Sequence, residues 1–200
     1  MTGRFAIYGG TFDPVHIGHL AVAEAAVKEC NLRKLIFMPD YISPFKQGQE
    51  TASGDDRYSM IKSLLHYNEA FTLSSYEISK EGPSYTIETL EFWDDIVKGD
   101  LYFVLGFDSV LEVDTWCRGE DILRNYPLIT ARRPGADDEA GVAKIEALRA
   151  KYEANITILD MPPVDASSTE IRRRVKSGES ISDMVPNEVE EYIIEHKLYR

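Results

Sequence analysis

The chain has 200 residues, of which 44% are hydrophobic, and it carries a formal net charge of −12. This acidic balance argues against a broad nucleic-acid-binding face, because such a face needs an excess of Lys and Arg to neutralise phosphates. No run approaches the roughly 20 apolar residues that a membrane span requires, so we expect neither nucleic acid nor membrane as a partner. The length suits a single domain, 1–200, whose residues 164–200 form a C-terminal helical segment.

The cysteine content favours a reducing compartment. Cys30 and Cys117 lie far apart in the chain and are predicted to be free thiols. The first residues show no charged segment followed by a long apolar stretch, so we expect no signal peptide and a cytoplasmic location. The sequence does not reveal an oligomeric state, and a homo-oligomer is compatible with it.

Short apolar runs alternate with amphipathic segments along the chain, which predicts alternating strands and helices. The predicted strands cover 5–8, 34–38, 71–73, 101–105, 127–131 and 156–159. The predicted helices cover 20–29, 56–66 with Asp55 as its N-cap, 86–97, 138–152, 168–177 and 186–196, and residues 41–54 are predicted to form a loop. This alternation is typical of an α/β fold, a doubly wound parallel sheet of Rossmann-like type with helices on both faces.

Residues suited to binding phosphate or ribose follow most of the predicted strands. Ligands of such sheets lie at the carboxyl ends of the strands, so these residues are expected to meet at one edge. They are Gly9 and Gly10 after the first strand, Gly106 and Asp108 after the fourth, Arg132 and Arg133 after the fifth, and Ser167, Ser168 and Thr169 after the sixth.

His16 and His19 lie three residues apart where a helix begins, after the glycine turn of Gly9 and Gly10. At this spacing both imidazoles share one helix face and can meet the same ligand. Glycines let the backbone approach an anion, and a helix N-terminus offers N–H groups and a positive dipole end. The histidines could instead pack at the helix start or ligate a metal, but no further cluster in the sequence completes a metal site. Phosphate binding is therefore the favoured interpretation, and the turn lacks the Gly-x-Gly-x-x-Gly fingerprint of a redox dinucleotide site.

A second candidate anion site lies at 167–172, which reads Ser-Ser-Thr-Glu-Ile-Arg. These residues also fit an ordinary helix start, with a Ser or Thr as N-cap. Hydroxyl groups, backbone N–H groups and the Arg172 guanidinium would together hold an anion, and a polyphosphate would profit most.

These motifs carry a resemblance to a known family. The His-Ile-Gly-His of 16–19 resembles the His-x-Gly-His signature of the nucleotidylyltransferase superfamily, which class I aminoacyl-tRNA synthetases share. The preceding Gly-Gly-Thr-Phe-Asp-Pro of 9–14 makes the resemblance more specific, and 167–172 is similar to the family's second motif in order and separation. The resemblance implies ATP binding by Gly9, Gly10, Thr11, Phe12, His16, His19, Gly106, Asp108, Arg133, Ser167, Ser168, Thr169 and Arg172. It also implies catalytic roles for His16, His19 and Arg172, with the second motif holding the β- and γ-phosphates.

Further segments resemble bacterial nicotinate-mononucleotide adenylyltransferases, namely 82–90 and 101–108 followed by Trp116. Residues 43–46 resemble a Pro-His-Lys segment with Phe45 in place of His, and Phe107 stands where the family more often has Ala. This likeness implies that the acceptor is bound by Lys46, Tyr85, Thr86, Asp108 and Trp116.

Three of these residues have simpler alternatives. Trp116 could be a core residue or could stack on a pyridine ring. Asp108 could be the N-cap of a following short helix or could contact the adenosine ribose or the nicotinate side. Arg133 could be a solvated charge or a nucleotide contact.

The resemblance implies adenylyl transfer from ATP to nicotinate mononucleotide, giving deamido-NAD and pyrophosphate, with Mg²⁺ arriving on the ATP. Another small-acceptor transferase, such as a phosphopantetheine adenylyltransferase, is the first alternative, although the Ser-Tyr-Thr of 84–86 argues against it. A nucleotide-sensing module without turnover is the second. The sequence does not decide between the nicotinate and nicotinamide mononucleotides.

Overall fold

Six parallel strands form one sheet in the computed structural model, which describes residues 3–42, 51–132, 138–162 and 164–200. The strands are β1 (Gly3–Gly10), β2 (Lys34–Pro39), β3 (Phe71–Leu73), β4 (Gly99–Val104), β5 (Leu128–Ala131) and β6 (Ile156–Leu159). Their order is β3-β2-β1-β4-β5-β6, and every neighbouring pair is parallel. The predicted doubly wound sheet is therefore confirmed.

Nine α-helices lie within the described residues. They are α1 (Ile17–Glu29), α2 (Gly54–Lys62), α3 (Tyr76–Lys80), α4 (Thr86–Ile96), α5 (Phe107–Glu112), α6 (Gly119–Asn125), α7 (Asp138–Tyr152), α8 (Ser168–Ser177) and α9 (Asn187–Glu195). The short helices α3 and α6 were not among the predicted elements, because segments of 5 and 7 residues are too short to show an apolar period.

The start of α2 corrects one prediction. Ser53, not Asp55, is the N-cap, and its hydroxyl oxygen accepts the N–H of Asp56 at 3.1 Å. A serine three residues before an acidic residue forms this cap readily, and Asp55 then lies in the first turn. The helix also ends at Lys62 and is followed by a separate 3₁₀ turn at Leu65–Tyr67, so the single helix predicted over 56–66 was too long.

Helices cover both faces of the sheet. Successive residues of β1 point to opposite sides, and the apolar residues on each side need a covering layer. Ala6 and Tyr8 belong to one apolar cluster, whereas Ile7 belongs to the other. The first cluster also contains Ile171 of α8 and Val189 of α9, both fully buried, so the chain beyond residue 164 packs on the same core as the first strand.

The strand order reverses direction between β1 and β4. From β1 the chain moves outward to β2 and β3, then crosses to β4 and continues to β5 and β6. A crevice forms at such a reversal, outside the carboxyl ends of the two central strands. Gly9 and Gly10 end β1, and Gly106 follows β4, so the predicted glycines flank this crevice.

Both cysteines are free thiols, as predicted, with Cys30 buried and Cys117 exposed. None of the helices in the described parts of the chain has the length and apolar character needed to cross a bilayer.

Candidate active site

A cleft of about 560 Å³ opens at the carboxyl ends of β1, β4 and β5. Most of the residues predicted to bind ATP line it, namely Gly9, Gly10, Thr11, Phe12, His16, His19, Gly106, Ser167, Ser168, Thr169 and Arg172. Arg132 also lines the cleft, whereas Arg133 and Lys46 lie outside the described residues. The crevice expected from the strand order and the motifs expected from the sequence thus coincide.

The two histidines stand together at the start of α1. His16 is the N-cap in an extended conformation, and its ring lies 3.7 Å from the ring of His19, measured between centroids. The backbone N–H of His16 donates to Nδ1 of His19 at 3.2 Å. A neutral imidazole whose Nδ1 accepts carries its proton on Nε2, so His19 is set up to donate from Nε2 to an oxyanion.

Aromatic packing fixes the orientation of His19. The ring of Phe12 meets it edge-on at 5.0 Å between centroids, and Tyr8 lies 6.1 Å away. Phe12 is 2% exposed and has a φ of 50°, a left-handed conformation that a bulky residue adopts only when its surroundings hold it there. The backbone turn after β1 therefore places an aromatic wall beside the imidazole.

Two glycines in this region pack closely against aromatic rings. A Cβ on Gly18 would lie 3.0 Å from Cε1 of His16, so the ring would have to shift by a few tenths of an ångström to admit it. A Cβ on Gly9 would lie 2.8 Å from the ring of Phe103. The sequence suggested that Gly9 serves close approach to an anion, and the structure adds that it makes room for a core aromatic.

The start of α8 is bonded directly to the turn after β1. Ser168 Oγ donates to the carbonyl of Pro14 at 2.9 Å, and Arg172 Nη1 donates to the carbonyl of Asp13 at 2.6 Å. Ser167 is the N-cap, accepting the N–H of Glu170 at 3.2 Å, as the simpler interpretation of this motif required. The two motifs, about 150 residues apart in sequence, therefore form one wall of the cleft.

The electrostatics of the cleft favour an anion. The N-termini of α1 and α8 both line it, and each presents the positive end of a helix dipole. Arg132 and Arg172 add two guanidinium groups, while Asp13 and Asp165 contribute the opposing carboxylates. A polyanion with several oxygens fits this pattern of donors better than a neutral ligand does.

Arg57 of α2 holds the turn after β1 in place, and it was not among the residues singled out from the sequence. The side chain is 1% exposed, and its guanidinium donates to the carbonyls of Thr11 at 2.8 Å and Asp40 at 2.7 Å. It also pairs with the Asp40 carboxylate at 3.2 Å and reaches the carbonyls of Ala52 and Tyr41. All five guanidinium N–H groups thus have acceptors, which is what a buried arginine needs.

One signal in the sequence could have revealed Arg57. Met60, Ile61 and Leu64 form an apolar stripe at helical spacing, all fully buried, and Arg57 occupies the preceding position of that stripe. An arginine on the buried face of a helix must find acceptors inside the protein, so its position indicates a buried anchor.

Two of the residues predicted to bind the acceptor, Tyr85 and Thr86, follow a segment that lies beside the end of β2. Ile42 forms a parallel bridge with Pro83, and the Tyr41 N–H donates to Ser84 Oγ at 3.2 Å. Tyr85 is the N-cap of α4 and is partly exposed, and Thr86 is the first residue of that helix. Since Pro39 of β2 is level with Gly10 of β1, this segment is next to the turn after β1.

A buried carboxylate supports the acceptor segment. Glu77 of α3 is 8% exposed and accepts the hydroxyl of Thr89 at 2.6 Å. Burial raises the pKa of Glu77, while hydrogen bonds from Thr89 and Ser84 act in the opposite direction. Glu77 thereby connects α3 with the residues that precede and begin α4.

Asp108 and Trp116 are not among the residues that line the described part of the cleft. Gly106, not Asp108, is the N-cap of α5, so the capping alternative was wrong; Asp108 is an exposed residue of the first turn. Trp116 is partly buried and packs against the second apolar cluster, as its simpler interpretation expected. Phe107, the residue before Asp108, is 2% exposed and does line the cleft.

Metal ligands are not grouped in the described parts of the chain: no set of three or more His, Cys, Asp or Glu side chains there could hold an ion.

Comparisons with known proteins agree with the fold. The cytidylyltransferase-like family model matches residues 7–174. A probable nicotinate-nucleotide adenylyltransferase of Caldicellulosiruptor bescii is 39% identical over 198 residues, which span 98% of this chain and 99% of the relative. One of Clostridium botulinum (strain Eklund 17B / Type B) is 37% identical over 199 residues, 98% of each chain. The solved Plasmodium falciparum nicotinic acid mononucleotide adenylyltransferase complexed with NaAD has a TM-score of 0.81 and 19% identity, over 98% of this chain and 97% of that chain, and supports the fold.

Proposed function

Since the chain belongs to the nicotinate-nucleotide adenylyltransferases of the cytidylyltransferase-like family, we propose that it transfers the adenylyl group of ATP to nicotinate mononucleotide in NAD biosynthesis. The products are deamido-NAD and pyrophosphate. The observation that carries the proposal is that His19 of α1 and Arg172 of α8 line the same cleft.

The chemistry needs alignment more than acid–base catalysis. A phosphate oxygen of nicotinate mononucleotide attacks the α-phosphorus of ATP, and the bond to the β-phosphate oxygen breaks as pyrophosphate leaves. The nucleophile is already an anion, so no covalent intermediate is needed, and rate comes from positioning and from stabilising charge on the phosphates. Nε2 of His19 is the donor proposed for the bridge between the α- and β-phosphates.

The second motif is proposed to hold the leaving group. Ser168, Thr169 and Arg172 at the start of α8 would contact the β- and γ-phosphates. His16, the N-cap of α1, would contact the same phosphates. Mg²⁺ is expected to arrive as part of the ATP substrate and to screen the charges that separate in the transition state.

The acceptor is proposed to lie beside the β2 end, against Tyr85 and Thr86. The N–H groups at the start of α4 suit a carboxylate. Nicotinate has this group, whereas nicotinamide has an amide in its place. We also propose that Lys46, Arg133 and Asp108, the last in the first turn of α5, contact the nucleotides. The free thiols suit a reducing cytoplasm.

A panel of acceptors tests the proposed reaction. Pyrophosphate release from Mg-ATP is measured with nicotinate mononucleotide, nicotinamide mononucleotide and phosphopantetheine at equal concentrations. We expect turnover with the mononucleotides, highest with nicotinate. Turnover confined to phosphopantetheine would favour the other transferase, and ATP binding without any turnover would favour the sensing module.

Trp116→Ala separates the two roles considered for the indole. If the indole stacks on the pyridine ring, KM for the mononucleotide is expected to rise about tenfold, the scale of an aromatic contact, while KM for ATP stays within about twofold. Equal changes in both constants, together with a lower melting temperature, would assign Trp116 to the core alone. Phe92→Ala, an exposed aromatic on α4, provides a control for nonspecific loss of apolar contact.

A further inference from the structure

Tyr199, which follows α9, reaches the turn after β1. Its hydroxyl donates to Oδ1 of Asp13 at 2.7 Å, across 186 positions of sequence. The tyrosine has a φ of 62°, and the preceding Leu198 N–H donates to the carbonyl of Ile193 at 3.1 Å. Both Leu198 and Tyr199 pack against the first apolar cluster, so this end of the chain is held in place by the core.

Asp13 also faces the arginine proposed to hold the leaving group. Its Oδ1 accepts a second hydrogen bond, from the Ala52 N–H at 3.0 Å, while its Oδ2 lies 3.7 Å from Nη1 of Arg172. The Asp13 residue is 3% exposed, so this carboxylate depends on these few groups for the stabilisation that water would otherwise give. Arg172, by contrast, is one-third exposed and lines the cleft.

Arg172 is therefore shared between Asp13 and whatever anion occupies the cleft. Each donor to Oδ1 draws negative charge away from Oδ2, which weakens the hold of the carboxylate on the guanidinium. Burial and the neighbouring Asp13 charge raise the pKa of Tyr199, so its hydroxyl keeps its proton and acts as a donor.

We infer that Tyr199 is a positioning residue of the reaction, acting through Asp13 to keep Arg172 available to the departing pyrophosphate. The inference rests on the proposed function. When the tyrosine hydroxyl is removed, the Asp13 carboxylate has only the Ala52 N–H on Oδ1 and holds Arg172 more tightly. The guanidinium then contributes less to the β- and γ-phosphates, whereas the acceptor site is unaffected.

Tyr199→Phe removes the hydroxyl and keeps the ring. In the reverse reaction, we expect KM for pyrophosphate to rise about fivefold, the scale of one weakened charge-assisted hydrogen bond. KM for deamido-NAD is expected to stay within about twofold. Tyr192→Phe is the matched control, because the Tyr192 hydroxyl donates to Oδ1 of Asp56 at 3.0 Å and Tyr192 is not among the cleft-lining residues.

A double-mutant cycle tests the route through Arg172. In an Arg172→Ala background, Tyr199→Phe is expected to leave KM for pyrophosphate unchanged, since the group it acts on is gone. A fivefold rise in that background would overturn the inference, as would an unchanged KM in the single variant or an equal rise in Tyr192→Phe. Melting temperatures of all variants separate a general loss of stability from this selective effect.

The same assays distinguish the inference from the function on which it rests. If the unmodified protein neither forms ATP from deamido-NAD and pyrophosphate nor runs the forward reaction, the proposed function fails and the inference fails with it. If the unmodified protein is active and Tyr199→Phe matches it in every constant, only the inference fails.

Discussion

His19→Ala is expected to lower kcat for adenylyl transfer by about 10²- to 10³-fold, the usual cost of removing one donor to a developing oxyanion. The Nδ1 atom of His19 already accepts the His16 N–H at 3.2 Å, so Nε2 is the atom left to donate to phosphate. An alanine cannot replace that donor. The free energy of unfolding should change by only about 1 kcal/mol, because the imidazole is half-buried and contributes mainly ring contacts.

Steady-state rates with saturating ATP and nicotinate mononucleotide, measured beside the melting temperature, check this prediction. His66→Ala is a suitable control, since the His66 side chain is 63% exposed and contacts Ser63 and Glu188 outside the cleft. It should retain nearly full turnover. A His19→Ala protein that turns over within a few-fold of the unmodified enzyme would remove His19 from the catalytic set.

Arg57→Ala is expected to cost about 3–5 kcal/mol of folding free energy, because it leaves the buried Asp40 carboxylate without its charged partner. Several backbone carbonyls lose a donor at the same time, including those of Thr11 and Asp40. Thr11 belongs to the turn that carries the proposed ATP contacts, so the remaining folded protein should also bind ATP more weakly.

Thermal and denaturant unfolding measure the loss, and for a chain of this length it corresponds to a fall in Tm of about 6–20 °C. Arg124→Ala is the matched control. The Arg124 guanidinium pairs with Glu120 on the surface of α6 with its side chain 46% exposed, and such pairs contribute about 0–1 kcal/mol. If both variants melt within 2 °C of the unmodified protein, the anchoring role of Arg57 is wrong.

The fold could be predicted because its signals are local and repeated. Apolar strands such as 101–105 alternate with longer amphipathic segments, and that alternation leads directly to a parallel sheet. Helix boundaries were harder to predict where a capping hydrogen bond decides them. Ser53 is the N-cap of α2 because its hydroxyl oxygen accepts the Asp56 N–H, and the polar sequence around it offers Asp55 as an equally plausible cap.

The cleft could be predicted in outline for a similar reason. His16, His19 and the Ser-Ser-Thr-x-x-Arg motif are contiguous in sequence, and the sheet brings strand ends to one edge whatever the loops contain. Contacts made by isolated residues could not be predicted. Arg57 on α2 and Tyr199 after α9 reach the turn after β1 from 46 and 186 positions away in sequence, and nothing near either residue specifies its partner.

Two backbone carbonyl oxygens join the turn after β1 to α8, so amino-acid substitutions on the two sides of this contact should have different effects. Ser168 and Arg172 bond the carbonyl oxygens of Pro14 and Asp13, which are main-chain atoms that every amino acid possesses. Mutational scanning at positions 13 and 14 will therefore report on side-chain roles and on the path of the backbone, but no replacement there can delete the acceptors themselves. The hydrogen bonds between the two halves of the cleft therefore have main-chain acceptors, and a substitution can remove them only at the donor side chains on α8.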